Sequence, residues 1–458
     1  MTRARKWAST ITAVIVPLLS VAGCGDDDNA TPDAAPPDAA LYDAEPQPDA
    51  QVLPDPTQDF SRDLVSTDLV LEVEALRGTA TIELTPSTTS EGASFEAAGL
   101  TITGVHNGDA PLNYEVVDGR LDVGVPLGST TVVVEYGFSV QGQFNGLMAT
   151  GSTLTWPYYC GNLFPCKSDP TEGLTFTMSV IDLPAGELAV YPSSIPADAP
   201  SYMPAWATGE YAELELGTTS GGTHLRAWYL PGGENDATQG TANLVAIFDW
   251  FEATYGPYPF GAEAGTVATN WGPGAYGGME HHPYWHVAII AMHDEVVQAH
   301  EAAHGWFGNG VRIACWEDFV LSEGTVSYLA ARGIGEVLGT TDASSVWQSY
   351  QNQLDSLMGS AVPKIAWPDS CGDVDILEDQ LFTQIPYMKG AFFFRALEQR
   401  ITRATLDAAL AAFFSDWVGQ AAGMQDLLDE IQATSGYDPT TCAQSWLREE
   451  PVGPDVCP

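Results

Sequence analysis

Between residues 59 and 231 the chain alternates. The segments 68–73, 79–84, 130–136 and 174–180 are rich in Val, Ile, Leu and Thr, place apolar residues at about every second position, and are separated by Gly, Asn, Asp and Pro. A period of two turns one side of each segment toward a core and the other toward water, which predicts many short strands in antiparallel, sandwiched or saddle-like sheets. Around Asn243 the period becomes 3.6. Leu244, Ile247, Phe248 and Phe251 then share one helical face, and Gly256-Pro257 ends the run. Further helices are predicted over 346–358, 386–401, 406–418 and 424–431. The pattern therefore predicts a multidomain β + α chain, with an amino-terminal antiparallel β domain at 59–231 and a mainly helical domain at 232–458. A length of 458 residues suffices for cores of that number and size.

The first 58 residues fit neither period. Arg3, Arg5 and Lys6 precede an apolar run at 11–21 that is short for a membrane-spanning helix, so 1–23 reads as a targeting segment. It closes on Leu19-Ser20-Val21-Ala22-Gly23-Cys24, which resembles a bacterial lipobox. That likeness implies cleavage before Cys24, diacylation of its thiol and a stable lipid anchor. A plain cleaved signal with an incidental cysteine is the alternative. Gly25 favours the outer membrane by analogy with other lipoproteins. Residues 24–58 are mostly Asp, Ala and Pro, with little to bury, and read as a disordered, self-repelling acidic tether. The folded part is accordingly expected outside the cytoplasm, held to a bacterial membrane through the lipid alone.

Charge narrows the partners. With 60 Asp+Glu against 16 Lys+Arg the formal net charge is −44, which repels nucleic acid and anionic membrane surfaces and attracts cationic peptides. Simple solvation is the bland reading of the same excess. Apart from Cys24 the cysteines are Cys160, Cys166, Cys315, Cys371, Cys442 and Cys457, an even set suited to an exported protein. Nearness in sequence favours Cys160 with Cys166 and Cys442 with Cys457, leaving Cys315 with Cys371. A cysteine zinc site is the rival reading, but no paired C-x-x-C spacing accompanies it.

The candidate chemistry is concentrated at His300-Glu301-Ala302-Ala303-His304. Two histidines four apart on a helix lie one turn apart on the same face and can converge on one cation. Glu301, one residue on, falls beside that cation, where it can take a proton from a water whose pKa zinc lowers toward ~7. Glu323 stands at the head of a second apolar-periodic segment that ends near Ala331, and would complete a His, His, Glu set with the fourth tetrahedral position open. Asp318 is a candidate acceptor for the outer N–H of a ligand imidazole. An exposed loop carboxylate is its alternative. His281, His282, His286 and His293 cluster ahead of the motif, where a second metal site competes with ordinary packing.

His300, Glu301 and His304 followed by Trp306-Phe307-Gly308-Asn309, together with Trp316-Glu317-Asp318 leading to Leu321-Ser322-Glu323-Gly324, resemble the aminopeptidase N family of gluzincin zinc peptidases. Gly277-Gly278-Met279-Glu280-His281 resembles that family's G-x-M-E-N motif, and Tyr387-Met388-Lys389-Gly390-Ala391 the segment carrying its catalytic tyrosine. The likeness implies one Zn2+ per chain on His300, His304 and Glu323, with Glu301 as general base and Tyr387 as hydrogen-bond donor to the oxyanion. Gly278, Met279 and Glu280 would hold the free α-amine of a peptide substrate. His281 departs from the pattern by replacing its asparagine. Residues 158–170 resemble the family's amino-terminal β domain, and 251–260 the entry to its thermolysin-like catalytic domain, placed here at 232–458. Many relatives add a long helical roof; this sequence has no room for one, so a more open cleft is expected. The function implied is removal of amino-terminal residues from peptides. A zinc endopeptidase of the same fold and a non-catalytic surface-binding lipoprotein with a structural zinc site are the alternatives.

Overall fold

The computed structural model of the protein describes residues 53–458 apart from 143, 156 and 373. The expected targeting segment, Cys24 and most of the acidic tether lie outside the described residues. Residues 54–458 form one compact unit, β-rich first and helical afterwards, as the change of period predicts.

Among the described residues, the first half is built on a seven-stranded sheet. Its members include β1 (Leu64–Glu72), β2 (Arg77–Leu84), β3 (Thr131–Gly137) and β4 (Leu174–Ile181). Alternation is what seats them. Leu69 and Leu71, Ala80 and Ile82, Val132 and Val134, Phe176 and Met178 point into one core while their neighbours stay in contact with water. The β1–β2 and β2–β3 pairs are antiparallel as expected, but β1 and β4 run parallel. A parallel neighbour needs a long crossover, and the stretch between β3 and β4 supplies one, stapled by Cys160–Cys166. Cys315–Cys371 and Cys442–Cys457 are the other two disulfides, so all three pairs are those expected from sequence.

A five-stranded mixed sheet links this half to the helices. Its members are β5 (Ala212–Thr218), β6 (His224–Tyr229), β7 (Glu263–Thr269), β8 (Gly278–Met279) and β9 (Tyr284–Ala288), in the spatial order β5-β6-β7-β9-β8. Residue 231 falls between β6 and β7, so the sheet is continuous across that position. β8 is its outer edge. Arg312, buried with 6% exposure, ties the halves further: its guanidinium donates to the carbonyls of Asp198 (3.1 Å) and Thr171 (3.4 Å) on one side and Gly419 (3.1 Å) on the other.

The longer helices among the described residues are α1 (Leu244–Tyr255), α2 (Glu295–Ala303), α3 (Phe319–Val337), α4 (Thr340–Met358), α5 (Gln384–Ile401), α6 (Arg403–Trp417) and α7 (Met424–Ser435). α1 buries Leu244, Ile247, Phe248, Phe251 and Tyr255. Phe248 and Phe251 meet the Trp306 ring at 5.1 and 5.3 Å, which fixes the turn leaving α2. α3 is buried from Phe319 to Ile334 and crosses α5 where Gly324 faces Gly390. A methyl group on Gly324 would lie 2.8 Å from the Gly390 Cα, so the two backbones touch, and the neighbours Glu323 and Tyr387 are carried to one place. No helix among the described residues is long and apolar enough to cross a membrane.

Candidate active site

α2 starts on Asp294, whose carboxylate accepts from the Val296 amide at 2.8 Å, a cap that satisfies one of the orphan donors of the first turn. His300 and Glu301 lie in its last turn and His304 just beyond it. α3 brings Glu323 against them, with its Oε2 3.1 Å from His300 Nε2 and 3.5 Å from His304 Nε2. Ligand atoms held at 2.0–2.1 Å in a tetrahedron stand ~3.3 Å apart, so these two separations bracket what zinc requires. The second ring nitrogens are already committed. His304 Nδ1 donates to the Phe307 carbonyl at 3.1 Å and lies 3.4 Å from Ser322 Oγ, while His300 Nδ1 is 3.5 Å from Ser327 Oγ. A proton kept on His304 Nδ1 leaves Nε2 as the lone pair turned toward a cation.

The cleft above these residues encloses ≈ 480 Å³ and is lined by Glu280, Glu301, His304, Glu323 and Tyr387 among others. Glu280, Glu301 and Glu323 are each buried, with carboxylates from the first two within 4.8 Å of His304. Burial pushes Glu280 up to about 7 and Glu301 well above the usual carboxylate range. It would do the same to Glu323, but His304 and the hydrogen bonds from His300 and His304 hold that group down at about 2. His304 in turn is lowered by burial and raised by Glu323 and Glu280, with a net rise to about 9. Three carboxylates out of water around one protonatable imidazole are short of positive charge. The donor set and this deficit both fit a divalent ion on His300, His304 and Glu323.

Tyr387, from the first turn of α5, stacks on the His300 ring at 5.8 Å and meets Phe319 edge-on at 5.8 Å. Burial first, then Glu323, keep its hydroxyl protonated, so it is a donor over the neutral range. β8 brings Gly278 onto Glu301: a methyl group there would come within 2.4 Å of the carboxylate, and only glycine lets the edge strand lie that close. Met279 is buried beside it, and the Glu280 carbonyl accepts from Asn309 Nδ2 at 2.6 Å.

Asp318 does not take the part expected of it. It precedes α3, closing the 3-10 turn 316–318, and its carboxylate is engaged elsewhere. Its Oδ1 accepts from Trp367 Nε1 at 2.9 Å and from the Met424 amide at 3.0 Å, joining α3 to α7. Nor do the clustered histidines make a metal centre among the described residues. His281 Nδ1 lies 3.0 Å from the Tyr202 carbonyl and the residue is not among those lining the cleft, and His282 is a strut. Its Nε2 donates to the Glu301 carbonyl at 2.8 Å while Nδ1 accepts from the Tyr258 hydroxyl at 2.7 Å, an arrangement kept neutral by burial, which lowers the ring to about 3. Asn309, His282 and Ser322 thus hold the site in place; Asn309 and Ser322 stand inside the stretches quoted for the likeness, whereas nothing in the local sequence marks His282 for its part.

Residues 289–446 match the model of the peptidase family M1 domain. Among curated proteins the chain is similar to aminopeptidase M1-A of Oryza sativa subsp. japonica, 24% identical over 73% of this chain and 42% of that protein. It is also similar to leucine aminopeptidase 2 of Chaetomium globosum, 27% identical over 56% of this chain and 44% of that protein. The chain thus spans less than half the length of these relatives. Among solved structures it resembles an M1 zinc metallopeptidase of Deinococcus radiodurans, in a variant bound to a Tyr-Ser-Ala substrate: TM-score 0.75, 18% identity, 87% of this chain and 96% of that one. A two-domain M1 zinc metallopeptidase bound to L-tryptophan aligns with TM-score 0.73 and 18% identity over 88% and 98% of the two chains. The β-then-helical architecture is the one these structures share.

Proposed function

We propose that this member of peptidase family M1 removes amino-terminal residues from peptides, using a zinc ion held by His300, His304 and Glu323. The observation that carries the reading is the position of Glu280. Its buried carboxylate shares the cleft with Glu301 and His304, close enough for a substrate α-ammonium on it to leave the first peptide bond above the metal-binding residues. When bound, zinc supplies Lewis acidity, polarising the scissile carbonyl and acidifying the attacking water. Glu301 takes the proton from that water and returns it to the leaving amine, as its place one residue after a ligand allows. Tyr387 donates its hydroxyl proton in a hydrogen bond to the carbonyl oxygen as negative charge builds there. The open edge of β8 offers backbone groups to a substrate laid alongside it.

Leucine arylamide and its N-acetyl twin, each with and without a chelator, test the reading. Chelator-sensitive cleavage of the free-amino compound alone is expected, and Glu280→Gln should lower kcat/KM for it roughly 10- to 100-fold, the worth of a charged hydrogen bond. Equal cleavage of both compounds would make the protein an endopeptidase; cleavage of neither by the zinc-loaded protein would leave a binding role.

On residues 19–24 we also place the mature chain at a bacterial membrane surface, diacylated on Cys24, with its cleft outside the cytoplasm. Cells fed labelled palmitate should mark the wild-type chain and not Cys24→Ala. Equal labelling of the two would refute the anchor.

A further inference from the structure

The cleft has a direction. Glu280 sits at the His304 end of α2, whereas Asp294 caps the opposite end, six residues before His300 and so ~9 Å away along the helix axis. The edge strand follows the same line in reverse: a methyl group on Gly278 would fall 2.4 Å from Glu301, and one on Gly277 would fall 3.7 Å from Val297, one turn nearer Asp294. A peptide with its amine on Glu280 and its first peptide bond at the zinc-binding residues therefore sends its second residue toward Asp294.

The walls it meets there change character along the way. Val297 and Val346 are apolar, Tyr350 lines the cleft while its hydroxyl donates to the Ser327 carbonyl at 3.3 Å, and Gln353 and, at the start of α2, Asp294 add polar groups to the same wall. One oxygen of Asp294 accepts from the Val296 amide, and the residue is exposed where it lines the cleft. Among the described residues no Lys or Arg lines the cleft. An apolar stem followed by a cationic tip matches this sequence of surfaces, and an acidic side chain meets only like charge.

Resting on the aminopeptidase reading above, the geometry points to Asp294 as a specificity-determining residue that selects peptides with Lys or Arg in the second position. Its charge acts locally, unlike the general acidity of the chain. Removing one charge from a net −44 hardly alters long-range attraction, so a single neutral substitution separates the two effects.

The test uses the zinc-loaded full chain and three peptides, Leu-Lys-Gly, Leu-Leu-Gly and Leu-Glu-Gly, with released leucine as the readout. Wild type should follow the order Lys, Leu, Glu in kcat/KM, with Lys ahead of Glu by roughly 5- to 20-fold, as an exposed carboxylate that attracts one side chain and repels the other provides. Asp294→Asn keeps a capping oxygen for α2 and should bring that ratio within about 3-fold. Asp294→Lys should invert the order. Comparable rates on all three peptides in wild type, or an unchanged Lys-to-Glu ratio in Asp294→Asn, would overturn this inference and leave the aminopeptidase reading standing. Failure to release leucine from any of the three would bring down both.

Discussion

Glu301→Gln is expected to lose ~10²–10⁴-fold in kcat while still binding one zinc per chain with little change in KM, the range in which a positioned general base contributes. The substitution is nearly isosteric, which matters because the Glu301 side chain lies 5% exposed beneath Gly278, with no room for a larger group. The strut from His282 reaches the Glu301 backbone carbonyl rather than its side chain, so α2 stays where it is. Only the ability to accept a proton disappears. Metal content by mass spectrometry together with steady-state kinetics on leucine arylamide decides the matter, and near-normal turnover in the variant would remove Glu301 from the chemistry.

The second large effect concerns the third ligand. Glu323→Ala takes away the group whose Oε2 lies 3.1 Å from His300 and 3.5 Å from His304, leaving two imidazoles and a gap. Activity should fall below detection and zinc should no longer copurify. Thermal stability offers an independent readout, because an ion bound by the folded state alone stabilises it by ~2.7 kcal/mol at a hundred times its Kd. Chelation should therefore lower the Tm of wild type, and added zinc should restore it, whereas Glu323→Ala should begin at the lower Tm and ignore both treatments. A variant that kept its zinc and its thermal response would show that the ion is held elsewhere.

Much of this arrangement was legible in one dimension because the informative signals are local. Alternation in 79–84 and 174–180 reports burial on one face of a sheet, and the spacing of His300 and His304 reports a shared helix face; both survive without knowledge of the fold. β7 and β9 escaped notice for the opposite reason. They are buried along nearly their whole length, mix Ala, Gly, Thr, Val, Trp and His, and carry no alternation to detect. The run placed near Ala331 continues to Val337, since Gly333 and Gly335 weaken the helical signal without ending the helix. Asp318 failed as a partner for the ligand histidines because its carboxylate is engaged by Trp367 and the Met424 amide, which nearness to Glu323 in sequence does not reveal. The contact of Gly324 with Gly390 is wholly tertiary: two glycines 66 positions apart say nothing of each other until α3 and α5 have crossed.

Arg312 sets a limit on dissection. Its guanidinium is a suture drawn through both halves of the molecule, taking two carbonyls from the β-rich part and one from the helical part. A fragment beginning at 232 would keep the positive charge and shed most of what solvates it, at a place normally closed to water. Transplanting the catalytic half into another scaffold thus means carrying the loops around Thr171 and Asp198 along, or replacing that arginine with something that asks for no acceptors.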